Sequence, residues 1–110
     1  MATLATGPQM KKRKPDPYLV QKILTATPEE LIVYIYDVAI AACGRKDKIK
    51  ASEAIQQLIS ALRYDHKDIA SNFYNTYSYI LDEVHKENYE DAGEMLKEIR
   101  STWKKAMKLD

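Results

Sequence analysis

Few side chains in this 110-residue chain are spaced for chemistry. Asp65 beside His66 has the makings of a proton-transfer dyad. Adjacent residues on a turn do not orient each other's side chains for transfer, however, and no nucleophile or glycine-rich phosphate loop accompanies them. Asp82 and His85 have a carboxylate-x-x-histidine spacing that could place two metal ligands on one helical face. A di-iron bundle needs two such motifs and further carboxylates, and one is present, so His85 reads as a helix-terminal surface residue. Cys43 is the only cysteine, so no internal disulfide can form; on a helical face it reads as a small apolar filler rather than a reactive thiol. The pattern points away from an enzyme and offers no catalytic, cofactor or metal site.

The basic run Lys11, Lys12, Arg13 and Lys14 could touch phosphates on nucleic acid or anionic lipid. It has no interleaved aromatics for stacking on unpaired bases, and a solvated tail is the favoured reading, with no nucleic-acid partner. The formal charge of +1 hides this asymmetry, because four of the positive charges sit in the tail and the remainder is net acidic. The longest strongly apolar run, Leu31 to Cys43, is well short of the roughly 20 residues that cross a bilayer, so no stable membrane insertion is expected. No secretion signal is read at the N-terminus, where Met10 is an alternative start.

The elements that would position any site are helical. Thr27 can cap the first free N–H groups, Pro28 suits the first helical position, and Glu30 closes a capping box, so a helix is predicted from Pro28 to Cys43 with Gly44 as its left-handed cap. A second helix is predicted over about Ile49 to Tyr64, with Ala51, Ile55, Leu58, Ile59 and Leu62 on one stripe. A third spans about Asp68 to Lys86, with Ile69, Phe73, Tyr77, Ile80 and Val84 on its apolar face and Ala70, Tyr74 and Leu81 widening it. A fourth starts near Asn88, a candidate cap, and repeats Tyr89, Ala92, Leu96, Ile99, Trp103 and Ala106 at three and four residues. Short turns make neighbouring helices antiparallel, and 45% hydrophobic residues suffice for one core. The expected fold is all-α: an antiparallel up-down four-helix bundle over residues 25–110, preceded by a flexible basic arm and lid segment over residues 1–24.

The helix from Pro28 has more apolar surface than such a bundle needs. Leu31, Ile32, Val33, Tyr34, Ile35, Tyr36, Val38, Ala39 and Ile40 surround nearly its whole circumference, whereas a core contact takes about a 100° stripe. The tail, another subunit or an extended amphipathic partner could cover the excess, or a small bundle could bury this helix centrally. Tyr74, Tyr77 and Tyr79 project in different directions, so at least one is expected at the surface.

The order Tyr18, then Ile23-Leu24-Thr25-Ala26-Thr27-Pro28-Glu29-Glu30-Leu31, then Tyr36-Asp37, resembles the N-terminal signature of the flagellar secretion chaperone FliS family. Ile69-Ala70, Asn72, Tyr77 and Tyr79 are similar to that family's third helix, and Trp103 falls where it usually has a C-terminal tryptophan. The stretch between Asp37 and Leu62 is shorter than in most members, which shortens the helices at that end.

The resemblance implies a cytosolic chaperone, not an enzyme. It would bind the disordered C-terminal segment of flagellin in hydrophobic grooves, prevent premature polymerisation and deliver it for secretion, with other flagellar export components as further partners. By position, Tyr18, Ile23 and Leu24 would anchor the family's lid, and Ile32, Tyr36, Tyr74, Tyr77 and Leu81 are the expected partner contacts. The alternatives are a self-associating structural bundle, with a homodimer left open, and a tail-mediated nucleic-acid binder.

Overall fold

The computed structural model describes residues 16–62 and 67–109, and among these it contains five helices and no strand. They are α1 (Pro17–Thr25), α2 (Pro28–Gly44), α3 (Lys48–Ser60), α4 (Lys67–His85) and α5 (Tyr89–Ala106). The all-α expectation holds; the helix count rises by one because residues 17–25, expected as an arm, are helical. The signal for α1 is local: the Asp16 carboxylate accepts a hydrogen bond from the Tyr18 N–H at 3.0 Å, and Pro17 occupies the first helical position. Pro28 disfavours helical geometry at Thr27, so α1 stops, and Ala26 and Thr27 are both extended.

The capping box at α2 forms as the sequence requires. Thr27 Oγ1 accepts from the Glu30 N–H at 3.1 Å, and Glu30 Oε1 accepts from the Thr27 N–H at 2.9 Å. At the other end Gly44 is not the left-handed residue. It is the last helical residue, and Lys46 adopts φ 57° instead. The Asp47 N–H bonds to the Ala42 carbonyl (2.9 Å) and the Lys46 N–H to the Cys43 carbonyl (3.0 Å), a Schellman pattern. Asp47 also caps α3 through the Lys50 N–H at 3.1 Å. Because one residue closes α2 and opens α3, the left-handed position must be the one just before it, whatever side chain stands there.

The α4–α5 turn repeats this arrangement with Glu87 at φ 66° and Asn88 bonded through its N–H to the Glu83 carbonyl at 2.8 Å. Asn88 holds the N-cap position of α5 but makes no side-chain cap; its amide donates to Glu83 Oε1 at 3.1 Å, giving that buried carboxylate a partner. Glu90 and Asp91 in the first turn, with Lys104 and Lys105 in the last, still match the α5 dipole. The predicted second helix is shorter than expected, ending at Ser60, and Tyr64 lies outside the described residues.

Helices α2 to α5 close a ring in which α2 packs on α3 and α5, α3 on α4, and α4 on α5. Side-chain size varies along it. Near the two Schellman turns the core is built from Ala39, Ala42, Cys43, Ala51, Ala54, Ala92 and Gly93, which let the helices approach closely; a Cβ at Gly93 would meet Cys43 Cβ at 3.6 Å. A Lys48–Glu87 ion pair of 2.9 Å joins the two turns across this end. Farther along, Tyr36, Ile55, Leu58, Tyr77 and Ile80 fill the interior. Beyond them the helices leave a gap.

Candidate functional site

The gap is a cleft of about 540 Å³ at the end of the ring opposite the Schellman turns. The first two turns of α2 supply Leu31, Ile32 and Ile35. The end of α3 and the residues after it supply Leu58, Ala61 and Leu62, α4 supplies Ala70 and Tyr77, and the C-terminal part of α5 with its cap supplies Trp103 and Met107. Glu29 is the only charged residue among the described lining. Such a surface can take up apolar side chains of a bound segment but offers few polar groups to orient them.

Trp103 braces the cleft. Its indole N–H donates to the Glu29 carbonyl at 3.0 Å across 74 positions of sequence, tying the last turns of α5 to the first turn of α2. Its ring meets Phe73 edge-on, with centroids 5.6 Å apart at 83°, and Phe73 in turn lies 5.8 Å from the Tyr77 ring. Farther along α2 and α5, Arg100 Nε bonds to Asp37 Oδ1 at 2.8 Å; both side chains are partly exposed, so this pair adds little stability.

Beneath the cleft, the Tyr36 and Tyr77 hydroxyls are hydrogen-bonded to each other, and their rings are tilted at 55° with centroids 6.2 Å apart. Burial raises both acidities' pKa. Tyr77 is pushed up to about 12, with the hydrogen bond from Tyr36 opposing the shift. Tyr36 is pushed further up by burial, then by repulsion from a Tyr77 phenolate and by its own bond to that group. Both phenols are therefore neutral near pH 7. Burial likewise pushes the Cys43 thiol up, which suits a filler and not a nucleophile.

The expected partner contacts divide. Ile32 and Tyr77 line the cleft. Tyr36 is wholly inside the core, where its hydroxyl is held by Tyr77, and it has no surface left for direct contact. Tyr74 is 45% exposed and Leu81 packs partly on the core, and neither borders the cleft. Tyr79 is also exposed, so two of the three clustered tyrosines face outward, as their spacing required. The expected lid anchors Tyr18, Ile23 and Leu24 are 71%, 42% and 75% exposed on α1, and none lines the cleft. Pro28 and Glu29, separated from the end of α1 by only Ala26 and Thr27, stand at its rim.

Sequence reasoning had placed Trp103, Leu58 and Leu62 on core stripes without assigning them to a site, and had not singled out Met107. One signal was available: Met107 lies one helical turn after Trp103 on the same face. Asp82 is ion-paired to Lys86 Nζ at 3.0 Å, and no group of three potential metal ligands occurs among the described residues. Asp65, His66 and the run Lys11–Lys14 lie outside the described residues. No helix among the described residues is long and apolar enough to cross a membrane.

The family described as Flagellar protein FliS matches residues 10–110. The chain belongs to the FliS family. That membership gives it the family's role of flagellar export chaperone. No curated protein and no solved structure matches it. In FliS terms, the signature string from Tyr18 to Asp37 comprises α1, the capping box and the turns of α2 that wall the cleft.

Proposed function

We propose that this FliS-family chain acts in the cytosol on flagellin, seating apolar residues of its disordered C-terminal segment in the cleft between α2, α3 and the end of α5. The segment would thereby be kept from premature polymerisation and delivered to other export components. In this reading α2 to α5 form the family's antiparallel up-down bundle. Catalysis has no part in it. The observation that carries the proposal is the cleft itself: about 540 Å³, lined almost wholly by apolar side chains and left open by the chain's own core. Val38 on α2 adds exposed apolar surface beyond it.

Segment α1 belongs to the same proposal as a displaceable cover. It is tethered through Ala26 and Thr27 to the rim, and burying two or three of its apolar side chains at roughly 1.5–3 kcal/mol each would compete with a guest yet remain reversible. Calorimetric titration of the full chain with the C-terminal peptide of the same organism's flagellin tests the central claim. Saturable binding with a negative heat-capacity change is expected, and no heat at several temperatures would remove it. A chain lacking residues 1–24 is expected to bind the peptide more tightly; unchanged affinity would argue against a cover.

One observation favours a second reading, self-association through α1. Leu19, Val20, Ile23 and Leu24 share one helical face and are all uncovered. Light scattering at several concentrations separates the two, because a structural dimer persists without flagellin.

A further inference from the structure

The nine residues of α1 form a helix with an apolar face and no core beneath it. Leu19, Val20, Ile23 and Leu24 fall on one side at helical spacing, all four are exposed, and no residue of the helix is buried. A helix this short is marginal in isolation and is stabilised by packing of its apolar face, so that face calls for a seat. The cleft offers one, and α1 is joined to its rim through Ala26 and Thr27.

The join decides whose cleft that is. To lie back over its own cleft, α1 would reverse direction within Ala26 and Thr27, both of which are extended. Thr27 is held twice by Glu30, through its N–H at 2.9 Å and its hydroxyl oxygen at 3.1 Å, and Pro28 disfavours helical geometry at that residue. A reversal there would break both bonds. The cleft of another copy of the chain asks for no such change, and a short, stiff hinge of this kind favours exchange of the element it carries.

Area decides how many helices are exchanged. Nine helical residues make a cylinder about 13 Å long and about 10–12 Å across, so half its wall presents roughly 300 Å² of accessible surface. With the matching wall of the cleft, one α1 in one cleft buries roughly 600 Å² in total, as does one α1 face against another, and either is too small for a lasting pair. Reciprocal exchange doubles this to roughly 1,200 Å², the lower end of specific interfaces. Because each α1 leaves from the rim of the cleft that its counterpart fills, the exchange closes at two copies about a two-fold axis.

We propose that two copies of this chain exchange α1, each seating the Leu19 and Ile23 face in the other's cleft, against Leu31, Ile32 and Ile35 of α2 and Leu58 and Leu62 opposite. This rests on the reading of α1 as a displaceable cover and names the cleft it covers. An interface of this size is within reach of a guest that competes for the same seats, so loading with a flagellin segment returns the chain to single copies. The exchanged dimer is then the resting form, in which neither cleft lies open to water.

The test is sedimentation velocity of the full chain over a concentration series, with and without the flagellin C-terminal peptide. A micromolar dimer is expected, converted by peptide to a complex of one chain with one peptide. Leu31→Glu places a charge at the exposed edge of the cleft, where the start of α2 tolerates an acidic side chain, and should raise the dimer Kd about tenfold or more although α1 is untouched. Leu19→Glu combined with Ile23→Glu should do the same from the other side of the contact, with thermal melts to confirm that the variants fold. A dimer indifferent to Leu31→Glu, or one that survives saturation of the wild-type chain with peptide, overturns the exchange; so does a wild-type chain that stays single up to about 0.1 mM. Each of these outcomes leaves peptide binding to be judged by its own titration. Absence of peptide heat removes the flagellin reading instead, and Leu31→Glu still decides the exchange.

Discussion

Replacing Trp103 separates the two jobs its side chain performs. Trp103→Phe keeps an aromatic ring against Phe73 but removes the indole N–H that donates to the Glu29 carbonyl at 3.0 Å. A neutral hydrogen bond of this kind contributes about 1 kcal/mol net, so the variant should lose about that much stability and, for a domain of this size, about 4 °C in Tm. Trp103→Ala also removes the ring. Full burial would put the loss at roughly 3–5 kcal/mol; because Trp103 is half-buried, about 3 kcal/mol is expected, including the edge-on pair with Phe73. Urea unfolding followed by far-UV circular dichroism measures both, since neither variant retains a tryptophan to report by fluorescence. If Trp103→Phe matched wild type within about 0.3 kcal/mol and Trp103→Ala lost less than about 1 kcal/mol, the claim that this residue clamps α5 to α2 at the cleft would be refuted.

Three further outcomes follow from local geometry. Tyr36 and Tyr77 hold their protons in the fold above the pH at which the unfolded chain releases them, so their contribution is intact below about pH 10 and is lost as pH rises toward and past 12; the fall approaches about 1.4 kcal/mol per pH unit for each, and the double Phe variant should flatten it in alkaline denaturation. Lys46→Gly should raise stability by about 0.5–1 kcal/mol, because a side chain at φ 57° is strained and glycine is not; a lowered urea midpoint would contradict the assigned turn. Thr27→Ala should cost about 1 kcal/mol through loss of the cap at Glu30 N–H, and an unchanged melting curve would show that the start of α2 is held by tertiary packing alone.

What the chain determines by itself is what neighbours in sequence settle between themselves. The start of α2 was legible because Thr27, Pro28 and Glu30 act within one turn, and the stripes Ala51–Ile55–Leu58 and Phe73–Tyr77–Ile80–Val84 because period 3.6 follows from helix geometry. Asp16-Pro17 carried the same local message for α1, which an arm reading passed over. The left-handed residue at Lys46 was not legible from glycine content, because its place is set by Asp47 serving two helices at once. The site depended most on contacts across the chain. That Tyr36 meets Tyr77 over 41 positions, that Trp103 reaches Glu29 over 74, and that small side chains close one end of the ring while large ones leave the other open are results of packing. Helical periodicity assigns a residue to a face; only the crossing of four helices decides whether that face meets a neighbour or an opening, and so whether a tyrosine becomes core, surface or the floor of a cleft.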